Sequence, residues 1–299
     1  MPAITSANVA EAIVKLVAAD SLPALVGNLV MGNLVNRNYE RTLANQGDTV
    51  NIPIPPTMSA TNVAEGGSVT TQNPSLGNAQ VVINMHAESS FQVPDVTKVL
   101  ASPNLLSMYM TPAIIAVAES IERDLMRLYL NLTANAPVGT GGSVITESVI
   151  DAAETALFNA KVPESLQRYL IVSGQTYSDL RQIQRFSEYD KSPELGGVIP
   201  SGQVGRLKNF YALRTQYVQK PSTTTYNIAF ARDAFALVMR ALPKPLPGTG
   251  AVAEYAEMGG FGMRVVMSYA PNTLAQQFTV DVLYGVAVLR NIYGIAVLT

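Results

Sequence analysis

The sequence has no cysteine and no tryptophan among its 299 residues, and its one histidine is His86. The missing thiols exclude disulfide frameworks, thiolate nucleophiles and cysteine-based metal sites. A single histidine cannot build a histidine-rich metal centre, and no GxSxG nucleophile elbow accompanies it. We therefore expect no catalytic residues, no metal and no cofactor. We interpret His86 as a solvated residue on the polar face of a strand.

Charge is also scarce, at 14% of residues against about 25% in an average soluble protein. A subunit that buries much of its surface against copies of itself needs few charges, because interface cores are depleted of them. The net charge of -2 argues against a dedicated nucleic-acid binder, which would show a basic excess. The apolar stretch from Leu22 to Val35 is interrupted by Asn28 and Asn33 and is too short for a membrane span. The opening residues lack the basic region of a signal peptide.

Motifs for phosphate or dinucleotide chemistry are missing as well. No GxxxxGK[ST] loop occurs. Gly259, Gly260 and Gly262 precede a predicted strand instead of opening a helix, which excludes a dinucleotide loop. The acidic pairs Glu188/Asp190 and Glu254/Glu257 have no recognisable substrate-binding neighbours, so we interpret them as solvated charge. An enzyme with an unrecognised site stays open as an alternative.

The N-terminal half begins with a predicted helix over Ser6–Ala19, followed by a strand over Thr49–Ile54. Residues 57–78 are rich in Ser, Thr, Asn and Gly, and loops of this length are usually functional or disordered. Apolar and polar residues then alternate from Gln80 to Val93. Such a run, about 40 Å long at 3.3 Å per residue, fits either of two structures. It is part of a projecting β arm, or it is a bent strand that crosses two sheets of one domain.

A long helix is predicted over Pro112–Leu132, where apolar residues keep one stripe over about five turns. Pro112 suits the first turn of a helix. The sequence APVGTGGS that follows predicts a flexible break and a domain boundary. Its three glycines, Gly139, Gly141 and Gly142, are candidate hinge residues.

The C-terminal half mixes helices and strands. Helices are predicted over Ser148–Ala160, capped by Ser148, and over Gln175–Phe186, capped by Ser173. A strand over Tyr169–Val172 lies between them, and 206–218 reads as a helix end or a strand. A short helix is predicted over Arg232–Met239. The other predicted strands are Asn227–Phe230, Arg264–Tyr269, Gln277–Leu283 and Val286–Leu298. This order favours an α+β fold over a regular βαβ series.

Five blocks of sequence, taken in order, resemble the major capsid proteins of tailed bacteriophages, which have the Hong Kong 97 fold. They are NRNYERTLANQGDTVNIP (36–53), VPESLQRYLIVSGQTYSDL (162–180), GRLKNFYALRT (205–215), FARDAFALVMRALP (230–243) and DVLYGVAVLRNIYGIAVL (281–298). The resemblance favours the branch of coat proteins from short-tailed enteric phages. The chain between Gly205 and Tyr226 leaves no room for the inserted domain that some members of this branch carry. Asn209 also stands where a glycine before the aromatic residue is more usual.

The resemblance implies a division of the chain. Residues 1–48 would form an N-terminal arm and helix, and 49–93 an extended β-hairpin loop. A peripheral domain would comprise 94–135 and 226–299, with the spine helix at 112–132. An axial domain would comprise 136–225. Arg232 and Asp233 would fix the fold near the junction of the two domains.

The implied function is a major capsid protein that self-assembles, as pentamers and hexamers, into an icosahedral shell around double-stranded DNA. The implied partners are further copies of the chain, portal and scaffolding proteins, a decoration protein, and DNA held by weak nonspecific contact, with no membrane. The implied location is the virion capsid, assembled in the cytoplasm of the bacterial host. Two alternatives stay open besides the enzyme: an encapsulin-like nanocompartment shell, and a β-rich adhesion or tail module.

Overall fold

Three β-sheets and four α-helices organise the part of the chain that the computed structural model describes. It describes residues 14, 23, 25, 28–38, 49–56, 58–95, 105–183, 206–240, 242–246, 249–258 and 261–299. The helices are α1 (Met31–Leu34), α2 (Leu105–Arg127), α3 (Glu147–Asn159) and α4 (Gly174–Gln182). The mixture of helices with largely antiparallel sheets confirms the predicted α+β class. The helix predicted over Ser6–Ala19 lies outside the described residues except for Val14.

A two-stranded antiparallel sheet pairs β1 (Thr49–Ile54) with β2 (Gly77–Val82). The chain then leaves this sheet at Ile83 and Asn84, and β3 (Met85–Pro94) pairs with a strand of a second sheet. The alternating segment over Gln80–Val93 is therefore not one straight strand. Each interpretation holds in part: Gln80–Val82 belongs to the two-stranded hairpin, whereas Met85–Val93 pairs within the second sheet.

The second sheet has five strands in the order β10-β11-β12-β3, and β9 pairs with the far end of β12. Its later strands are β9 (Phe235–Arg240), β10 (Ala251–Met258), β11 (Phe261–Ala270) and β12 (Ala275–Val288). The predicted strand Gln277–Leu283 and the first residues of the predicted strand Val286–Leu298 thus belong to one long strand, β12. Strand β10 was not predicted, because its residues AVAEYAEM alternate only weakly.

The third sheet has six strands in the order β4-β13-β8-β5-β7-β6. They are β4 (Val138–Gly139), β5 (Arg168–Val172), β6 (Arg206–Leu207), β7 (Phe210–Arg214), β8 (Tyr226–Ala231) and β13 (Gly294–Leu298). All five residues of β5 are buried, as expected for a strand covered on both faces. The segment 226–299 thus supplies strands to both large sheets, since β8 and β13 pair with each other beside β5.

The long helix α2 begins at Leu105, seven residues before the predicted start, so Pro112 lies inside it. A proline there removes one backbone hydrogen bond, and the helix continues because its apolar face is buried. Ile114, Ile121 and Leu125 on that face are each at most 1% exposed. At its other end the chain tightens into a 3-10 turn over Leu128–Asn131.

Two local predictions in the C-terminal half are wrong. The helix predicted over Arg232–Met239 is a 3-10 turn at Arg232–Ala234 followed by strand β9. The continuous apolar run of β9 reflects burial on both faces, which looks the same as a buried helix in sequence. Ser148 is not the cap of α3, because that helix begins at Glu147 behind Thr146. Ser173, by contrast, caps α4 as predicted, accepting a hydrogen bond from the Thr176 N–H at 3.2 Å.

Candidate assembly surfaces

The hairpin arm, defined here as β1, β2 and the loop 55–76 between them, packs at its base against the described residues of the five-stranded sheet. Val50, Ile52 and Val81 are buried against Val238 of β9 and Leu289 beyond β12, in a small cluster separate from the main core. Gly285 of β12 makes this close approach possible, because a Cβ there would lie 2.3 Å from the Val82 carbonyl oxygen. The base of the arm therefore packs directly on the five-stranded sheet.

Beyond this base the arm buries almost nothing within its own chain. Every described residue from 58 to 78 is exposed except Gln72, whose side-chain oxygen accepts a hydrogen bond from the Ser59 N–H at 3.2 Å. Val69 and Leu76 are 81% and 72% exposed. Glu65 is the one charged residue between 49 and 84. A long, nearly uncharged loop with exposed apolar side chains has the composition of a contact surface.

The segment before the arm is fastened to α2 by a buried carboxylate. Glu122 is fully buried, and its two oxygens accept hydrogen bonds from the Met31 N–H at 3.0 Å and the Gly32 N–H at 2.9 Å. Burial raises the pKa of Glu122, although the backbone hydrogen bonds oppose this shift. These N–H groups open the short helix α1, whose unpaired donors need such an acceptor.

A second set of hydrogen bonds joins the same segment to the turn that contains Asp233, one of the two residues predicted to fix the fold. The Asn36 side chain donates to Asp233 Oδ1 at 2.8 Å. The Asn36 N–H donates to the Phe235 carbonyl, and the Leu237 N–H donates to the Asn36 carbonyl. The Arg232 N–H donates to the Gln167 carbonyl. Arg232 and Asp233 therefore lie where β8 of the six-stranded sheet passes into β9 of the five-stranded sheet, and both make structural hydrogen bonds.

A tyrosine links α2 to the chain between β7 and β8. The Tyr217 hydroxyl donates to Glu119, and burial together with this hydrogen bond raises the pKa of Tyr217 to about 12. Glu119, Glu122 and Arg123 of α2 all act electrostatically on this hydroxyl. Helix α2 thus contacts the segment before the arm through Glu122 and the chain between β7 and β8 through Glu119, which lies about one turn earlier on the helix.

His86 lies on the polar face of the five-stranded sheet, as predicted, but it is not simply solvated. Its Nε2 lies 3.1 Å from Asp281 Oδ2, while its side chain remains 48% exposed. Arg264 Nε donates to Asp281 Oδ1 at 3.0 Å, and a second guanidinium nitrogen contacts the other oxygen. Asp281 is only 2% exposed. Its charge is paired with Arg264, and the three side chains together form a hydrogen-bonded network that holds β3, β11 and β12 together.

Two of the three candidate hinge glycines, Gly139 and Gly141, are closely packed. Gly139 pairs with Leu298 at the edge of the six-stranded sheet, and a Cβ there would lie 2.3 Å from the Leu298 carbonyl oxygen. A Cβ at Gly141 would lie 2.0 Å from Thr224. Gly142 has a positive φ of 78° and open space around it. Their roles as hinges stay a prediction.

The other residues singled out as chemistry candidates lie apart. Glu254 pairs with Lys244 at 3.0 Å, whereas Glu188, Asp190 and the Glu257 side chain lie outside the described residues. Gly262 is within β11 and opens no helix. No group of three or more His, Asp or Glu side chains in the described ranges could hold a metal ion. No helix of the described ranges has both the length and the apolar character needed to cross a membrane.

Comparisons of the whole chain give a consistent result at the level of fold. No protein-family model matches the sequence, and no curated protein matches it. Among solved structures, one from Mycobacterium phage Che8 is 19% identical with a TM-score of 0.65, covering 90% of each chain. The capsid structure of cyanophage P-SCSP1u is 15% identical with a TM-score of 0.60, covering 90% of this chain and 87% of the other.

A third structure, from Mycobacterium phage Adephagia, is 11% identical with a TM-score of 0.57, and covers 99% of this chain and 98% of that one. The likeness in fold therefore extends along almost the full length of both chains. The chain has the fold of bacteriophage capsid proteins. At identities of 11–19%, these TM-scores show the likeness in fold.

Proposed function

We propose that this chain is the major capsid protein of a tailed bacteriophage, and that it self-assembles into an icosahedral shell enclosing double-stranded DNA. The observation that carries the proposal is the match of fold along nearly the whole chain, including to the capsid of a cyanophage. The hairpin arm supports it, because a loop with almost no burial in its own subunit needs a partner surface. The low charge content supports it for the same reason.

The proposed mechanism is association through many modest contacts. The hairpin arm lies over a neighbouring copy, adding main-chain pairing and apolar burial. The six-stranded sheet with α3 and α4 clusters in pentameric and hexameric rings, the heterologous contact that closed symmetry requires. Such a chain needs no catalytic residues, and we propose a structural and non-enzymatic role. With a net charge of -2, contact with the enclosed DNA is weak and nonspecific.

We keep the proposed division of the chain with two amendments. The extended loop is 49–82 in place of 49–93, since β3 pairs with β12 of the sheet assigned to the peripheral domain. The axial domain is 136–225 together with β8 and β13, since these strands pair within its sheet. The rest of the peripheral domain comprises 94–135 and the remainder of 226–299, and 1–48 is the N-terminal arm.

We also propose the finer assignments. The branch is that of short-tailed enteric phage coat proteins without the inserted domain, supported by the short path of β6, β7 and a turn between Arg206 and Tyr226. Portal, scaffolding and decoration proteins are proposed partners, and assembly takes place in the cytoplasm of the bacterial host.

The test is to express the full chain and examine it by sedimentation velocity and negative-stain microscopy. Closed particles of many copies are expected. Monodisperse small oligomers under all conditions, including with a scaffolding partner present, would contradict the proposal. Nucleic acid in particles purified from their natural source distinguishes a virion shell from an encapsulin-like compartment, which would hold protein instead.

A further inference from the structure

The first residue of the buried strand β5 is an arginine whose charge has no counter-charge among the described residues. Arg168 is 3% exposed. One of its guanidinium nitrogens donates to the Val162 carbonyl at 3.1 Å, while Nε has no hydrogen-bond partner. The ion pairs of the described ranges all use other cations. Because a buried charge is costly unless it is paired, Arg168 calls for an anion.

A cavity of about 240 Å³ lies beside this arginine. Its described lining consists of the loop 164–167, Arg168, Arg206, Asn209 and Tyr211. Arg206 of β6 lies opposite Tyr211 of β7, and its guanidinium carbon is 5.8 Å from the centre of the Tyr211 ring. Glu164 is the one carboxylate of the described lining, and it forms an ion pair with neither arginine. Two strands thus bring two positive side chains to one cavity.

The chemistry of the lining favours a small anion with several oxygens. A guanidinium group is planar and presents paired N–H donors, which match the oxygens of phosphate or carboxylate. A phosphate group carries a charge of about -1.5 to -2 at pH 7, so one ion balances both arginines, whereas one carboxylate balances a single arginine. A water molecule could accept a hydrogen bond from Arg168 Nε, but it would leave the charge unneutralised.

We propose that this cavity binds a small oxyanion of the phosphate class between Arg168 and Arg206. The inference goes beyond the proposed function and does not depend on it. A free ion is the occupant, because Arg168 is almost fully buried and a phosphate within a nucleic-acid backbone is too bulky to reach it. The bound ion joins the start of β5 to β6 and to the loop 164–167. It therefore stabilises one end of the six-stranded sheet.

The first test is a titration of the full, unassembled chain with inorganic phosphate, at an ionic strength held constant with sodium chloride. A ligand that binds only the folded state raises the unfolding midpoint, so phosphate should raise it to a plateau and chloride should not. Arg168→Met should abolish this rise. Arg206→Gln should weaken phosphate binding at least about tenfold, as expected for the loss of a charge-assisted hydrogen bond.

Arg181→Gln is the matched control, because Arg181 is an exposed arginine of α4 that does not line the cavity. It should bind phosphate as the wild-type chain does. A wild-type midpoint without a plateau, or the same rise in the Arg206→Gln variant as in the control, would overturn the inference. Arg206 is exposed, so its variant decides the question even where Arg168→Met fails to fold.

The second test separates phosphate from other sources of negative charge. Glu188, Asp190 and Glu194 precede β6 in sequence and lie outside the described residues. The combined variant Glu188→Gln, Asp190→Asn and Glu194→Gln should bind phosphate with the wild-type affinity in isothermal titration calorimetry. Phosphate binding seen only in this variant would mean that a carboxylate of the chain already occupies the cavity, and would overturn the inference.

A third titration uses oligothymidylate without terminal phosphates, at the same concentration of phosphate groups. It should give no binding that depends on Arg168. Binding that equals that of inorganic phosphate and is lost in the Arg168→Met variant would show a nucleic-acid site in place of a site for a free ion. All three titrations use the unassembled chain, so a failure to form particles would contradict the proposed function and leave this inference testable.

Discussion

At the scale of single residues, Glu122 combines full burial with two backbone hydrogen bonds. Because burial raises its pKa, the folded state holds this proton more tightly than the unfolded chain does. The stabilising contribution of the neutral acid is present below the unfolded pKa, and it is lost as pH rises through the higher folded pKa. The backbone hydrogen bonds from Gly32, Met31 and Val30 oppose the effect of burial. We therefore expect the attachment of α1 to α2 to depend on pH.

We predict that Glu122→Gln, which cannot ionise, gains stability relative to wild type as pH rises from about 4 to about 7. The measurement is the unfolding midpoint of both proteins across this range. Glu122→Ala should be less stable at every pH by about 2–4 kcal/mol, because two buried N–H groups lose their acceptor. Glu65→Gln changes an exposed carboxylate and is the control. A constant difference between Glu122→Gln and wild type would show that Glu122 does not titrate in this range.

The pair of Arg264 and Asp281 makes a second prediction at this scale. Replacing Arg264 by Met should destabilise the subunit by about 3–5 kcal/mol, because Asp281 is left buried with only His86 beside it. Removing both charges with Arg264→Met and Asp281→Leu should recover much of that loss, as measured by denaturant unfolding. Lys244→Met, which breaks a pair between an exposed lysine and the partly buried Glu254, should cost less, about 1 kcal/mol. Equal losses for the single and double variants would contradict a specific pairing.

At the scale of elements, two glycines in neighbouring strands differ in their surroundings: one is closely approached by another segment of backbone, and the other is not. Gly285 meets the Val82 carbonyl oxygen at the base of the hairpin arm, whereas Gly262 has open space around it. We predict that Gly285→Ala destabilises the subunit by about 1–3 kcal/mol through overpacking. Gly262→Ala should be neutral or slightly stabilising, because glycine weakens a strand. Equal effects in denaturant unfolding would mean that the arm base can shift to admit a methyl group.

The elements that sequence predicts well are those with one dominant signal. The strand over Thr49–Ile54 and the helices near 148–160 and 175–186 are found within a few residues, because their patterns are local. The start of α2 is missed because Pro112 resembles a first-turn residue, and burial of the helix face outweighs that preference. The strand β9 is mistaken for a helix because a run buried on both sides has no period. The fastening by Glu122 could not be predicted, since its two partners lie about 90 residues away.

At the scale of the whole molecule, we expect the hairpin arm to be needed for assembly and not for folding of the subunit. Its loop contributes almost nothing to either buried cluster, so removing it should not change the subunit core. Its exposed Val63, Val69 and Leu76 have no role that a monomer would need. The arm should therefore matter only where two copies meet.

We predict that deletion of residues 60–76 leaves the unfolding midpoint of the unassembled subunit within error of wild type, and that particle formation is lost. Val63→Ser, Val69→Ser and Leu76→Ser, combined at full loop length, should reduce assembly in the same direction, because the loop then lacks its apolar anchors while its backbone remains. Sedimentation velocity gives the particle fraction, and thermal unfolding at low protein concentration gives the midpoint. The Glu65→Gln control separates the apolar contribution from that of the one charge in the loop. Normal particles from the deletion variant would mean that the arm makes no contact that assembly requires. The contacts that close the shell would then have to come from the two large sheets.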